Sequence, residues 1–215
     1  LQGVAIGGIV GENEGVIEES KSNIKTTSEN TRSFPQTIVG GLVGRNSGVV
    51  RESTSDGSVF ARSGEIGGLV GVNSGTVGNS GTVEGSESST TVSVGGEARQ
   101  VGGLVGSNGG TIKNSSASGS VNGGFAPQGV GGLVGVNAGE VINARATGPV
   151  SSEPGGDKMG GLVGENLGSV EESYSNSNVQ GQNSLGGLVG VNSGTVTSSL
   201  SEGSVTGSGS SIGGL

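Results

Sequence analysis

The chain contains no cysteine and no histidine. The first absence removes disulfides and thiolate metal sites. The second removes the usual base of nucleophile–base triads and the commonest metal ligand. Tryptophan is also missing, and three Phe and one Tyr are the only aromatic residues among 215. A globule of that length ordinarily fills its centre with more large rings, so the composition implies a thin core of Leu, Val, Ile and small side chains. Ten basic residues face 18 acidic ones, for a net charge of -8. Nucleic acid and anionic membrane surfaces need clustered Lys and Arg, so neither is an expected partner. No apolar run approaches the roughly 20 residues that span a bilayer, so membrane insertion is not expected either.

Glycine is what the chain has in excess, at 50 residues, without the every-third spacing of a collagen helix. The glycines belong to a motif, Gly-Gly-Leu-Val-Gly-x-Asn-x-Gly. Copies start at Gly7, Gly40, Gly67, Gly102, Gly131, Gly160 and Gly186, and a truncated eighth opens at Gly213. The steps between starts are 33, 27, 35, 29, 29, 26 and 27 residues, a period that belongs to solenoids and arrays. Units this small cannot bury a core alone and must stack on their neighbours. Residues 1–215 therefore read as a single elongated repeat domain, and as a segment of a longer solenoid.

With the first glycine of each repeat numbered zero, the residue before it is always apolar: Ile6, Val39, Ile66, Val101, Val130, Met159, Leu185, Ile212. Position two is Ile9 and then Leu, and position three is always Val. Glycine holds positions four and eight and asparagine position six. This pattern predicts a short strand and a tight turn, because Gly and Asn tolerate positive φ. Leu and Val are adjacent, so strict alternation would put one of them outside, and a bend at the glycine pair is expected to turn both inward.

A second strand follows. Position ten is Ile17, Val50, Val77, Ile112, Val141, Val170 and Val196. Positions thirteen and fifteen hold only Ser, Ala or Thr, while eleven and twelve vary freely. Such a contrast marks small inward slots beside a solvated face. Val59, Val121, Val150, Val179 and Val205 recur at position nineteen as a third strand, and Val83 and Glu84 in the third repeat stand out of phase. The expected fold is all-β: a parallel β-solenoid of about seven coils of 26–35 residues, each with three short strands. Right-handed winding is expected from the crossover rule. A helical solenoid fails, since each glycine costs about 1 kcal/mol against Ala in a helix. In a stack spaced at about 4.8 Å, seven coils span on the order of 33 Å. The turn asparagines Asn13, Asn46, Asn73, Asn108, Asn137, Asn166 and Asn192 then lie in register. They either bond up the stack as a ladder or cap their own turns, and both roles are structural.

The Gly-Leu-Val-Gly core with its following Asn-x-Gly resembles the GLUG motif, from Gly7 to Leu215. The resemblance implies a large bacterial surface or secreted protein, of the kind that includes adhesin-like molecules and the flanking regions of IgA-specific metallopeptidases. Peptidase activity does not carry over, because that zinc site needs His ligands and this chain has none.

The remaining chemistry is sparse. Asp occurs only as Asp56 and Asp157, in different repeats, and the pairs Glu18–Glu19 and Glu171–Glu172 stand five repeats apart. These read as solvated charges, not a catalytic pair. The strings Gly155-Gly156-Asp157 and Gly95-Gly96-Glu97 are single and out of pattern for a calcium-binding solenoid. Position nine runs Val16, Val49, Thr76, Thr111, Glu140, Ser169, Thr195, too mixed for an ice-binding rank. The Asn114-Ser115-Ser116 sequon is one match in an Asn/Ser-rich chain. No catalytic, cofactor or metal site is expected.

Specificity, if any, is expected in the longest returns, Lys25–Thr37 and Ser86–Gln100. Phe34, Phe60 and Phe125 share a phase before the next repeat, which suggests plugs at one corner of the core. The reading is a non-enzymatic, extracellular or cell-surface solenoid acting as a stalk or fibre-forming segment. Its uncapped ends are expected to self-associate or to continue into neighbouring coils. The alternative is an adhesin module whose insertion loops bind a host glycan or protein.

Overall fold

The second coil shows how the chain winds. Thr37–Gly40 joins sheet A, Val43–Asn46 sheet B, Val49–Arg51 sheet C and Thr54–Ala61 sheet D. The next coil repeats the path one rung along. The computed structural model describes residues 4–30, 37–76, 79–125, 127–153 and 155–214. Phe34, Val77 and Leu215 lie outside the described residues. Sheet A has eight strands, sheets B and C seven each, and sheet D twelve. Every rung pairs in parallel with its counterpart in the neighbouring coil, as Val43 does with Val10 and Val70. The fold is thus an all-β parallel solenoid of about seven turns, with one strand per coil on each of sheets A–C. The fourth sheet closes each turn.

Two cores run the length of the stack. The first gathers positions two, three and ten with the small slots: Leu42, Val43 and Val50 are fully buried, as are their equivalents Leu104, Val105 and Ile112, with Ala117, Ala144 and Ala146. The second joins the residue before each glycine pair to position nineteen, as Val39 to Val59 and Val130 to Val150. Position-two Leu and position-three Val therefore both point inward. The bend between them is possible because the glycines face backbone. A Cβ on Gly41 would sit 2.1 Å from Gly68 O and 2.3 Å from Ser55 Oγ. Burying each Leu contributes about 1.5–3 kcal/mol.

Four expectations need correction. The motif glycines and asparagines at positions four, six and eight do not take positive φ. That conformation is found at position twelve, the corner between sheets C and D, in Glu19, Glu52, Gly85, Asn114, Asn143, Glu172 and Ser198, with φ of 47–55°, and two residues before the last three glycine pairs, in Lys158, Ser184 and Ser211. Position twelve lies on the solvated face as expected, but its backbone is a constrained corner. The motif glycines are required by close approach: a Cβ on Gly48 would lie 2.1 Å from Gly15 O of the neighbouring coil.

The second correction is the phase of the third repeat. Gly75–Thr76 and Asn79–Ser80 form a short antiparallel pair that leaves the coil, closed by Gly81 N–H donating to Ser74 O at 2.6 Å. The coil resumes six residues late. Val83, not Val77, pairs with Val50 and Ile112, and Thr82, not Thr76, stands in the position-nine rank. The small slots are filled by Ser86 and Ser88, not Ser80 and Thr82, and both serines are buried.

Third, Ser86–Gln100 is not a projecting loop. Glu87–Ser88, Thr91–Val94 and Ala98–Gly102 are rungs of the stack, with Val92 fully buried. The described part of the first long return is likewise a strand, Lys21–Ser28, paired residue for residue with Thr54–Ala61. Nor do Phe60 and Phe125 plug a core. Phe125 is 53% exposed, and Phe60 lies on the outer side of its strand, where a Cβ on Gly95 would meet its ring at 2.7 Å.

Candidate functional site: the asparagine ladder and a side cleft

The seven turn asparagines form one continuous chain of hydrogen bonds. Asn13 Nδ2 donates to Asn46 Oδ1 at 2.7 Å. The same bond runs from Asn46 to Asn73, Asn108, Asn137, Asn166 and Asn192, each at 2.8 Å. Each amide also donates to the position-eight carbonyl of its own turn, such as Gly48 O for Asn46 and Gly81 O for Asn73. Ladder and turn cap are therefore made by the same side chain. Asn46, Asn73, Asn137 and Asn166 have no exposed surface, so each rung satisfies polar groups that water cannot reach.

A second ladder was not legible as such. At position thirteen the backbone N–H of Ser20 donates to Ser53 Oγ, Ser53 to Ser86, Ser86 to Ser115 and Ser173 to Ser199, at 3.1–3.2 Å. Each hydroxyl in turn donates to the carbonyl two residues earlier, as Ser53 Oγ does to Arg51 O. Ala144 has no hydroxyl and interrupts the series.

Charges line the outside in cross-coil pairs. Glu18 and Arg51 meet at 2.7 Å, Glu84 and Lys113 at 3.0 Å, and Lys21 and Asp56 at 2.7 Å. The Arg51 guanidinium holds the Glu18 carboxyl below its ordinary value, and Glu18 raises Arg51. Lys21, then the Ser89 hydroxyl, lower Asp56. Arg45–Glu12 and Arg62–Glu29 are similar. All lie at the surface, where solvent screens such pairs and they add little to stability. Tyr174 stacks under Arg145, 4.9 Å from the guanidinium carbon to the ring centroid, and its hydroxyl donates to Glu202 at 2.5 Å, which raises its ordinary value. Among the described residues no three of His, Cys, Asp and Glu come together in a way that could hold a metal. Glu19 and Glu172 occupy the positive-φ corner instead, and so does Asn114 of the sequon, whose Oδ1 accepts from Asn143 Nδ2 at 2.8 Å.

One recess stands out on the side of coils four to six. It measures about 520 Å³ and is lined by Gln100, Pro127, Gln128, Val136, Gly155, Asp157, Lys158, Glu165 and Leu167. It arises where two outer rows run side by side, two residues before the glycine pair and at position five. In the first row Gln100 is followed by Gly129, which carries no side chain; a Cβ there would meet Val136 Cγ2 at 2.9 Å. Val136, 8% exposed, fills the gap. On one side Lys158 Nζ grips both Glu165 oxygens at 2.8 and 2.9 Å. Leu167 stands 52% exposed among the lining residues. Gln100 Oε1 is buried and accepts no hydrogen bond.

Comparison with known proteins agrees with this architecture. The family model of the GLUG motif matches residues 97–122 and 126–151, two adjacent repeats. This agrees with the resemblance read from the repeats. The comparison with curated proteins gives no match. A solved structure of a putative immunoglobulin A1 protease from Bacteroides ovatus is similar in fold, with a TM-score of 0.58. The two share 18% identity over 94% of this chain and 67% of that one, a likeness that speaks for the fold alone.

Proposed function

We propose that this chain is a non-enzymatic structural solenoid of an extracellular or cell-surface protein, serving as a stalk or fibre-forming segment. The asparagine ladder carries the reading. An unbroken line of amide bonds from Asn13 to Asn192, buried as far as Asn166, beside continuous parallel sheets, gives a stiff rod whose length is set by the number of coils. Side chains that are core elsewhere are open at both ends: Ile9 is 50% and Ile212 43% exposed, where their counterparts Leu42 and Leu185 are buried. These faces suit a further coil, or an end of a second copy. Small-angle scattering of the chain tests the rod, and a globular profile would refute it. Light scattering tests assembly; a strictly monomeric chain at high concentration would sink the fibre-forming part.

A second reading, an adhesin module that binds a host glycan or protein, is favoured by the side cleft. Its contact residues would be Pro127, Gln128, Gly155 and Asp157, which line the cleft, in place of the returns expected from the sequence.

A further inference from the structure

We infer that the third coil has interchangeable registers, in which Gly75 and Gly81 alternate at position eight while its six spare residues shift along the chain. The inference is independent of both readings above. Two observations carry it. The first is that the coil is assembled from both copies of a duplicated string. It takes the rung Asn73 and then Ser74 from the first copy, and Gly81, Thr82 and Val83 from the second. Elsewhere each rung caps the glycine two residues on, as Asn46 does at Gly48 O and Asn137 at Gly139 O. Asn73 instead donates to Gly81 O, eight residues on, at 2.9 Å. The gap is closed by Gly81 N–H donating to Ser74 O.

The second observation is that the two copies, residues 73–77 and 79–83, are identical. Moving the crossover one residue later puts Gly75 at position eight and leaves Thr82 and Val83 where they are. Moving it one residue earlier puts Ser80 at position seven. In every case the coil reads Asn-Ser-Gly-Thr-Val, so core, ladder and cap lose no side chain. All these crossovers fall at the corner between sheets B and C, outside the paired strands Val70–Asn73 and Thr82–Glu84. The excursion keeps its length, so its closure entropy is unchanged. The registers differ only in the excursion's own short pairing, Gly75–Thr76 with Asn79–Ser80. Glycine-rich segments specify register weakly, and states separated by so little coexist.

A spare glycine makes substitutions non-additive. In the observed register a Cβ on Gly81 would press on Asn46 O at 2.7 Å, and one on Gly48 would run into Gly15 O. Gly48 has no substitute in its coil. Gly48→Ala should therefore lower the urea midpoint clearly, while Gly81→Ala stays close to wild type because Gly75 replaces it. Gly75→Ala, whose Cβ would meet Gly109 O, is relieved by the earlier crossover and should also stay close. Gly75→Ala/Gly81→Ala leaves no glycine for position eight and should fall as far as Gly48→Ala. Amide spectra of the whole ¹⁵N-labelled chain give a second readout. Signals of Gly48, Gly81 and Thr111 should be doubled or broadened by exchange, and single and sharp once residues 74–79 are removed. Gly81→Ala as damaging as Gly48→Ala would overturn the inference. So would a double variant no worse than the sum of its singles, or single sharp signals in the intact chain.

Discussion

Asn73 donates its side-chain amide to Asn108 at 2.8 Å across 35 residues of chain, and Asn137 donates to Asn166 at the same distance across 29. The ladder holds its spacing although one coil is six residues longer, because the extra residues leave the coil between Ser74 and Gly81. The rungs, not the repeat length, keep the coils in register.

Asn108→Ala should therefore be far more damaging than a surface change. Asn108 is 1% exposed. Its loss strands the Asn73 amide and the Asn137 carbonyl oxygen, besides the turn carbonyl of Gly110 that it serves. About 2–4 kcal/mol is expected from one lost network node. Asn192→Ala, at an exposed terminal rung with one ladder neighbour, should cost less than half as much. Urea melts of the two variants decide the matter, and equal effects would show that the ladder is incidental.

The excursion in the third coil should be dispensable. Removing residues 74–79 leaves Asn73 followed by Ser80-Gly81-Thr82-Val83, the same order that the other coils use. The expected outcome is a folded chain with stability within about 1 kcal/mol of wild type, since closing or omitting a short loop changes little. Deleting Ser86–Gln100 should abolish folding instead, because it removes buried rungs such as Val92 and Ala98. Circular dichroism melts of both deletions check this pair of outcomes.

That duplication also explains where sequence reading stopped. The strings Asn73-Ser74-Gly75-Thr76-Val77 and Asn79-Ser80-Gly81-Thr82-Val83 are identical, so pattern alone cannot say which Val enters the core. The neighbouring coils decide, by pairing Val83 with Val50 and Ile112. The positive-φ corner was hidden for a different reason: Glu19, Glu52 and Glu172 occupy it, and glutamate gives no local signal for that conformation. The repeat starts, the asparagine register and the core positions were legible because each recurs at a fixed offset. The cleft was not, since it depends on a glycine at one row meeting Val136 in another.

The serine ladder has a missing rung, and filling it should help. Ala144→Ser restores a hydroxyl where Ser115 N–H would find its acceptor, as Ser86 N–H finds Ser115 Oγ at 3.2 Å. A gain of about 0.5–1 kcal/mol is expected from one added buried bond. Ala144→Leu, in a slot only 3% exposed, should cost about 1–3 kcal/mol through overpacking. Denaturant midpoints with unchanged slope test both, and two variants indistinguishable from wild type would mean that the slot yields freely.

Acid should erase the contribution of two cross-coil ion pairs. In the folded chain the Glu18 carboxyl is lowered by its bond to Arg51, and Asp56 by Lys21 and then Ser89. A carboxyl whose folded value lies below its unfolded one stabilises fully above the ordinary carboxylate range. That contribution is lost as pH falls through the folded value. Glu18→Gln/Asp56→Asn should therefore be slightly less stable than wild type at about pH 7, and the gap should close only as pH falls below the ordinary carboxylate range and both pairs lose their charge. Tyr174 works in the opposite direction: its bond to Glu202 raises it, so its contribution persists through neutral pH and fades only above the ordinary tyrosine range. Urea midpoints of wild type and the double variant, measured across the acid range, provide the check. A gap that stays constant down to the lowest pH would show that these pairs add nothing to the fold.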